Sequence, residues 1–308
     1  MTVILGALLP IFAVIGVGWG LRRSNLMPSE MWPAVSRLAY VGLSPALLFS
    51  VISRADFQNI TVAPAILAAV LGFLSMGGLV IALKPLIKTD GPAFTSVFQG
   101  SVRWNGLVIL ALATLSYGLD GEVLVSLIMV ATIPVVNVMA VTVLTVWGAH
   151  EKTPDIKAVL WRIISNPLIL GCIAGAIANL LNLFQTGPIA DVLALMGRAA
   201  LPLILLAVGA GLDFTALNAR RGLLALTAFN KLIIAPLVFG GIAWALGVRG
   251  EALAIVVLVG ASPGAASAYV LAQQLGGDRR LSAGDVTATT LLSFVTLPVA
   301  VWIATQIG

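Results

Sequence analysis

Ten apolar runs, each close to the roughly 20 residues that cross a hydrocarbon core of about 30 Å, follow one another along the chain with short polar breaks between them. In lipid the backbone can satisfy its own polar groups only as helices or as a closed barrel, and these runs are too long and too uniformly apolar for alternating strands. They lie near residues 2–21, 33–53, 62–83, 95–116, 121–147, 162–183, 189–212, 222–246, 251–275 and 284–306. The expected fold is therefore an all-α membrane protein of ten transmembrane helices. Composition closes off the alternatives: 60% of the 308 residues are hydrophobic and 9% charged, where a soluble domain carries roughly 25% charged residues. With a mean hydropathy of +1.09, a water-soluble globule, a disordered chain and a coiled coil are excluded, and the surface is expected to meet a lipid bilayer. The single cysteine, Cys172, lies in an apolar run, and no Cys/His cluster has metal-ligand spacing, so no metal and no bound cofactor is expected. Met1 and Thr2 lead straight into the first run without a basic region, so that run is expected to remain as a helix rather than serve as a cleaved signal.

The net charge of +5 does not form a nucleic-acid-binding patch; it marks orientation. With the N-terminus placed outside the cytoplasm, one side of the membrane holds Arg22, Arg23, Arg37, Lys84, Lys88, Lys152, Lys157, Arg162, Arg220, Arg221, Arg279 and Arg280, and the other only Arg54 and Arg249. Basic loops stay cytoplasmic, so both termini are expected on the extracytoplasmic side of the cytoplasmic membrane. Arg103, Arg198 and Lys231 are left over, within or near the ends of spans.

The two halves repeat. At an offset of 157, Pro10 falls on Pro167, Pro45 on Pro202, and Asp56-Phe57 on Asp213-Phe214; at 164, Thr132-Ile133-Pro134 falls on Thr296-Leu297-Pro298. Five helices per half is an odd number, so the halves enter the membrane from opposite sides. The expected organisation is a first repeat over 1–147, a cytoplasmic linker over 148–161 and a second, inverted repeat over 162–308. Inverted repeats of this kind are the architecture of secondary transporters, whose sites lie near the midplane where helices are interrupted.

The fourth span of each half carries such an interruption. Gln99-Gly100-Ser101-Val102-Arg103-Trp104-Asn105-Gly106 is polar in the middle of an apolar run, and Gly260-Ala261-Ser262-Pro263-Gly264-Ala265-Ala266-Ser267 contains a proline flanked by glycines. Half-helix N-termini made this way offer free N–H groups and positive partial charge to an anion.

Here the sequence resembles the auxin efflux carrier family, which includes the plant PIN proteins and bacterial malonate and malate carriers. The resemblance covers essentially the whole chain and rests on Leu43-Ser44-Pro45-Ala46-Leu47-Leu48, Arg103-Trp104-Asn105, Ser262-Pro263 followed by Tyr269-Val270-Leu271-Ala272, and Ser293-Phe294-Val295-Thr296-Leu297-Pro298. It implies two inverted five-helix repeats, broken fourth and ninth helices that cross, scaffold and transport parts each drawn from both repeats, organic anion substrates and often a homodimer. The chain departs from the family pattern in having glycines and no proline at the first break, and Ser267 where the family commonly has Asn.

Among single residues, Arg103 stands out, because a guanidinium within a membrane is generally retained for a pathway or a partner and can grip a carboxylate with two prongs. Asn105 and Gly106 follow it in the break, and Lys231 is a second cation in mid-span. Ser262, Pro263, Gly264 and Ser267 surround the second break and can present hydroxyl and backbone groups to substrate or to a coupling ion. Asn137 and Gln273 are candidates to face the pathway, or simply tie helices together. Trp104 is expected to face lipid, and Asp56 and Asp213 to act as boundary residues. No carboxylate is expected deep in any span, which argues against a pump working through paired buried aspartates.

These readings converge on a secondary active transporter that moves a mono- or dicarboxylate by alternating access, with a proton or sodium as the coupling ion left open. A sodium-coupled symporter resembling bile-acid carriers is the alternative. A membrane-embedded enzyme finds no paired aspartates, His-Glu-x-x-His or Ser/His pair, and a passive channel would show flux that does not saturate.

Overall fold

A computed structural model describes residues 2–55, 62–149, 161 and 165–307, and every regular element among them is helical. In chain order the helices are α1 (Thr2–Arg23), α2 (Trp32–Arg37), α3 (Ser44–Ser53), α4 (Val62–Leu83), α5 (Gly91–Val102), α6 (Gly106–Trp147), α7 (Pro167–Leu180), α8 (Pro188–Ala210), α9 (Arg221–Phe229), α10 (Ala235–Ala245), α11 (Gly250–Ala261), α12 (Ser267–Gln274) and α13 (Arg279–Ile307). Among the described residues, six helical stretches are long and apolar enough to cross a membrane: Ser29–Ser53, Val62–Leu83, Gly91–Trp147, Pro188–Ala210, Arg221–Ala245 and Arg279–Gln306. Pro167–Leu180 and Gly250–Ala261 are shorter apolar helices. The protein is an integral membrane protein. The Asp56-Phe57 pair of the repeat, His150, and the basic residues Lys152, Lys157 and Arg162 lie outside the described residues.

Proline shapes two of the long stretches in the same way. Leu38–Leu43 and Asn230–Ile234 are π-helical, and each runs into a proline, Pro45 and Pro236. Proline lacks an N–H and its ring crowds the carbonyl four residues back, so a widened turn before it relieves the clash while keeping the path helical. In the first case the Ser44 hydroxyl donates to the Ala39 carbonyl at 2.7 Å across the widened turn. The helical path of α6 is interrupted at Gly118, whose φ of 63° and ψ of −147° are open to glycine and strained for any other residue.

The chain forms two compact units, and each draws on both halves of the sequence. The first comprises Met1–Val62, Leu107–Val130 and Ile164–Gly211. Within it α3 packs on α7 and α8, and α1 packs on α8. Small residues permit this: a Cβ at Gly171 would stand 2.6 Å from the Pro45 carbonyl oxygen, and one at Gly197 2.9 Å from the Leu47 Cα. Arg22 donates to the Ala210 carbonyl at the end of α8, placing a cation where the helix dipole is negative.

The second unit comprises Ala63–Gly106, Ala131–Ile163 and Leu212–Gly308. Here α13 packs against α5, α9, α11 and α12. Phe239 is its wedge: a Cβ at Gly72 or Gly260 would come within 2.8 or 2.9 Å of its ring, and Phe73 meets it edge-on at 4.8 Å between centroids. At the start of α5 the Asp90 carboxylate accepts from the Ala93 N–H at 2.8 Å and pairs with Arg220 at 2.6 Å, and Arg220 also reaches Asp278 at 3.5 Å. The backbone donor, with help from Arg220, holds the Asp90 carboxyl below its ordinary range. Asp213 accepts from the N–H groups of Thr215 and Ala216, as a capping residue does.

Candidate functional site

The two interruptions expected from the sequence are present, and they are alike. Helices α5 and α11 are each 12 residues long, begin with a glycine, and stop at a residue of extended backbone, Arg103 (φ −66°, ψ 142°) and Ser262 (φ −60°, ψ 144°). At the second break the cause is local. Pro263 cannot donate, and its ring pushes the preceding Ser262 out of the helical region. At the first break no proline is present, and the cause is tertiary: the Asn105 N–H donates to the Pro263 carbonyl at 3.0 Å and to the Ser262 hydroxyl oxygen at 3.1 Å. The backbone of one break is thereby hydrogen-bonded to the other. The Gly264 N–H is satisfied by the Thr289 hydroxyl oxygen at 3.0 Å. Helices restart at Gly106 and Ser267.

Arg103 sits in this junction, 6% exposed. Its Nη1 donates to the Ser267 hydroxyl at 2.6 Å and its Nη2 to the Asn137 side-chain oxygen. Both of these acceptors are neutral side chains, and they orient the guanidinium. The arrangement is a planar, two-pronged donor aimed by two side chains, suited to a carboxylate.

Arg103, Asn137, Ser262, Pro263, Ser267 and the backbone of Asn105 are therefore brought together, with Gly264 tied in through Thr289 and Gly106 opening the restarted helix. Two candidates stand apart from that group. Lys231 is buried on the π-helical turn with its ammonium 5.8 Å from the centre of the Phe73 ring, and the neighbouring Asn230 donates to the Ser101 hydroxyl oxygen at 3.5 Å. Gln273, near the end of α12, is exposed.

One expectation is corrected. Trp104 was expected to face lipid; it is 7% exposed, and its ring lies 5.7 Å from that of Phe73, because the break turns residue 104 inward. Phe73 thus links Trp104 of the first break to Lys231. Near the ends of their spans two carboxylates are nonetheless buried: Asp285, in the second turn of α13, is 2% exposed, and Glu122 is 9% exposed. The signal was present in the sequence. Ser282, Asp285, Thr289 and Ser293 recur at helical spacing and all are buried, a polar stripe turned inward on a membrane helix. Gln99, Thr289 and Phe73 were missed as well.

Comparison with known proteins agrees in kind. A family described as membrane transport protein matches residues 3–302 of the chain. A protein of Rhizobium meliloti (strain 1021) named "Putative malonate transporter" is 26% identical over 304 residues, covering 96% of this chain and 94% of that one. An "Uncharacterized transporter" of Methanothermobacter thermautotrophicus (strain Delta H) is 24% identical over 292 residues, covering 94% of this chain and 95% of its own.

Proposed function

Because this chain belongs to the membrane transport protein family, we propose that it is a secondary active transporter carrying a small organic anion, a mono- or dicarboxylate, across the cytoplasmic membrane by alternating access. The observation that carries the proposal is the buried Arg103 guanidinium, set at the junction of two helix breaks and oriented by the neutral side chains of Ser267 and Asn137. A charge in that position is costly in a membrane protein and is retained where it meets a charged ligand. The restarted helices add positive partial charge of their own. Malonate is the first substrate to test, since a relative spanning nearly the whole chain carries that name.

The same reading assigns ten membrane crossings in two inverted repeats. It is supported by the paired 12-residue helices, each ending in an extended residue, whose starts at Gly91 and Gly250 lie between the two offsets of the sequence repeat. It is supported also by two compact units that each take segments from both halves, as scaffold and transport parts would. The asymmetry of basic residues supports an orientation with both termini outside the cytoplasm.

The test is counterflow in proteoliposomes. Vesicles loaded with unlabelled malonate should take up external labelled malonate with saturable kinetics, and Arg103→Ala should abolish that uptake. Repeating the assay with and without sodium separates the sodium-coupled alternative. Unsaturable flux, or exchange of neutral or cationic solutes with none of any carboxylate, refutes the proposal.

A further inference from the structure

We propose that Asp285 carries the coupling proton, one proton moving with each anion held at Arg103; this rests on the transporter reading above. Asp285 lies in the second turn of α13, and neither carboxylate oxygen has a hydrogen-bonding partner among the described residues. Thr227 lies beside it; its hydroxyl donates to the Leu223 carbonyl at 2.9 Å and keeps an oxygen able to accept from the neutral acid. An ionised carboxylate in such surroundings is strongly disfavoured, whereas the neutral acid carries only the modest penalty of a buried hydroxyl. The group therefore rests protonated when enclosed, and gives up its proton only when water reaches it.

Its position ties it to the substrate. A Cβ on Gly100 would stand 2.8 Å from Asp285 Oδ2 and against the Thr227 methyl group, so the carboxyl lies directly on the α5 backbone, one turn before Arg103. That contact explains a glycine in the first break for which no turn geometry calls. The adjacent Gln99 side chain is fully buried, and neither its amide oxygen nor its nitrogen has a partner among the described residues, so the polar character extends along α5.

Among the described residues, no charged group forms a close ion pair with it; the two close ion pairs there are Arg220 with Asp90 and with Asp278. On the elements packed against α13 the charged and titratable groups are Asp90, Arg103, Asp213, Arg221, Lys231, Glu251 and Tyr269, with Asp278, Arg279 and Arg280 at the helix's own start. Arg103 is engaged by Ser267 and Asn137, Lys231 lies over Phe73, and Asp90 is engaged by Arg220. No cluster of three or more His, Cys, Asp or Glu is found among the described residues, and one flank of the carboxyl is closed by Gly100 and a methyl group.

The coupling follows from charge. Ionised, Asp285 offsets the positive field that Arg103 presents to an anion; neutral, it leaves that field intact. Anion binding and protonation therefore favour each other, and the linkage is reciprocal. The proton enters from water on the side where the site opens, as the carboxylate becomes the acid, and returns to water on the other side as the acid ionises.

The experiment uses the full chain in proteoliposomes, with labelled malonate as probe, comparing wild type with Asp285→Asn and Asp285→Glu. Asp285→Asn should keep malonate counterflow within about threefold but lose uphill accumulation driven by a pH gradient, while Asp285→Glu should keep both. In a pH range where malonate stays a dianion, wild-type affinity should fall by up to about tenfold per pH unit as pH rises, and Asp285→Asn should show no slope. Accumulation or an unchanged pH slope in Asp285→Asn overturns the proposal, as does loss of counterflow in a variant that keeps the wild-type melting point. Infrared difference spectra of the purified protein give a readout independent of transport. A protonated-carboxyl band present at neutral pH in wild type and absent in Asp285→Asn is expected, and its absence from wild type overturns the assignment whatever the substrate. Failure of wild-type counterflow with that band present counts against malonate as substrate and leaves the buried acid standing.

Discussion

Replacing Arg103 by Ala removes the two-pronged donor while leaving the helix breaks to be held by the Asn105 backbone bonds to Ser262 and Pro263. Truncating one side of a buried charged contact costs about 2–5 kcal/mol of binding, which weakens affinity about 30-fold or more. In wild type, malonate at about 100 times its dissociation constant stabilises the folded protein by about 2.7 kcal/mol. At about 2–4 °C per kcal/mol for a chain of this size, the melting point should rise by about 5–10 °C. In Arg103→Ala the same concentration reaches no more than about three times the weakened constant, so the stabilisation drops below about 1 kcal/mol and the rise below about 3 °C. The variant also loses its bonds to Ser267 and Asn137, so its ligand-free melting point should fall, and each shift is referred to the variant's own baseline. Arg103→Lys keeps the charge but not the planar fork and should give an intermediate rise. A full malonate shift retained in Arg103→Ala refutes the placement of the anion at this residue.

Thr289→Val strands the buried Gly264 N–H, which the threonine hydroxyl satisfies at 3.0 Å; stability should fall by about 1–3 kcal/mol, read as a lower melting point in detergent, and Thr289→Ser should recover most of it. Gly260→Ala drives a Cβ to 2.9 Å from the Phe239 ring and 3.1 Å from the Ala235 carbonyl oxygen, and should destabilise by about 1–3 kcal/mol through overpacking; a melting point at or above wild type would show that α10 and α11 yield there. Asp90→Ala loses the cap on α5 and should cost about 1 kcal/mol, while Asp90→Asn keeps the cap and loses only an exposed ion pair worth about 0–1 kcal/mol. Because the Asp90 carboxyl is held below its ordinary range, its contribution is present above about pH 4 and is lost as pH falls through the lower folded-state value; thermal melts across acid pH should show this loss in wild type and not in Asp90→Ala.

Much of the site could be read from residue order because its causes are local. Pro263 breaks its helix wherever that sequence is placed, and a mid-span arginine marks a position that lipid cannot hold alone. The break at Arg103-Trp104-Asn105 was legible from its polar run, but its mechanism was not: the Asn105 N–H leaves the helix for Ser262 and Pro263, 157 and 158 residues on. Asp285 was passed over because it lies near the end of its apolar run, where a carboxylate is ordinarily solvated. The Ser282, Thr289 and Ser293 stripe beside it was the signal that it faces inward.

The sequence by itself determined that this chain is helical and lies in a membrane, because a backbone in lipid must bond to itself and apolar runs of this length leave the helix as the solution. It determined also where one helix must stop, since proline acts on its immediate neighbours. Only the tertiary structure decided that Ser267 and Asn137 orient Arg103, that Trp104 is buried against Phe73, and that Asp285 rests on Gly100. Those pairings join residues 31 to 185 positions apart, and hydrogen bonds and contacts over such separations depend on how helices pack, which local periodicity does not encode.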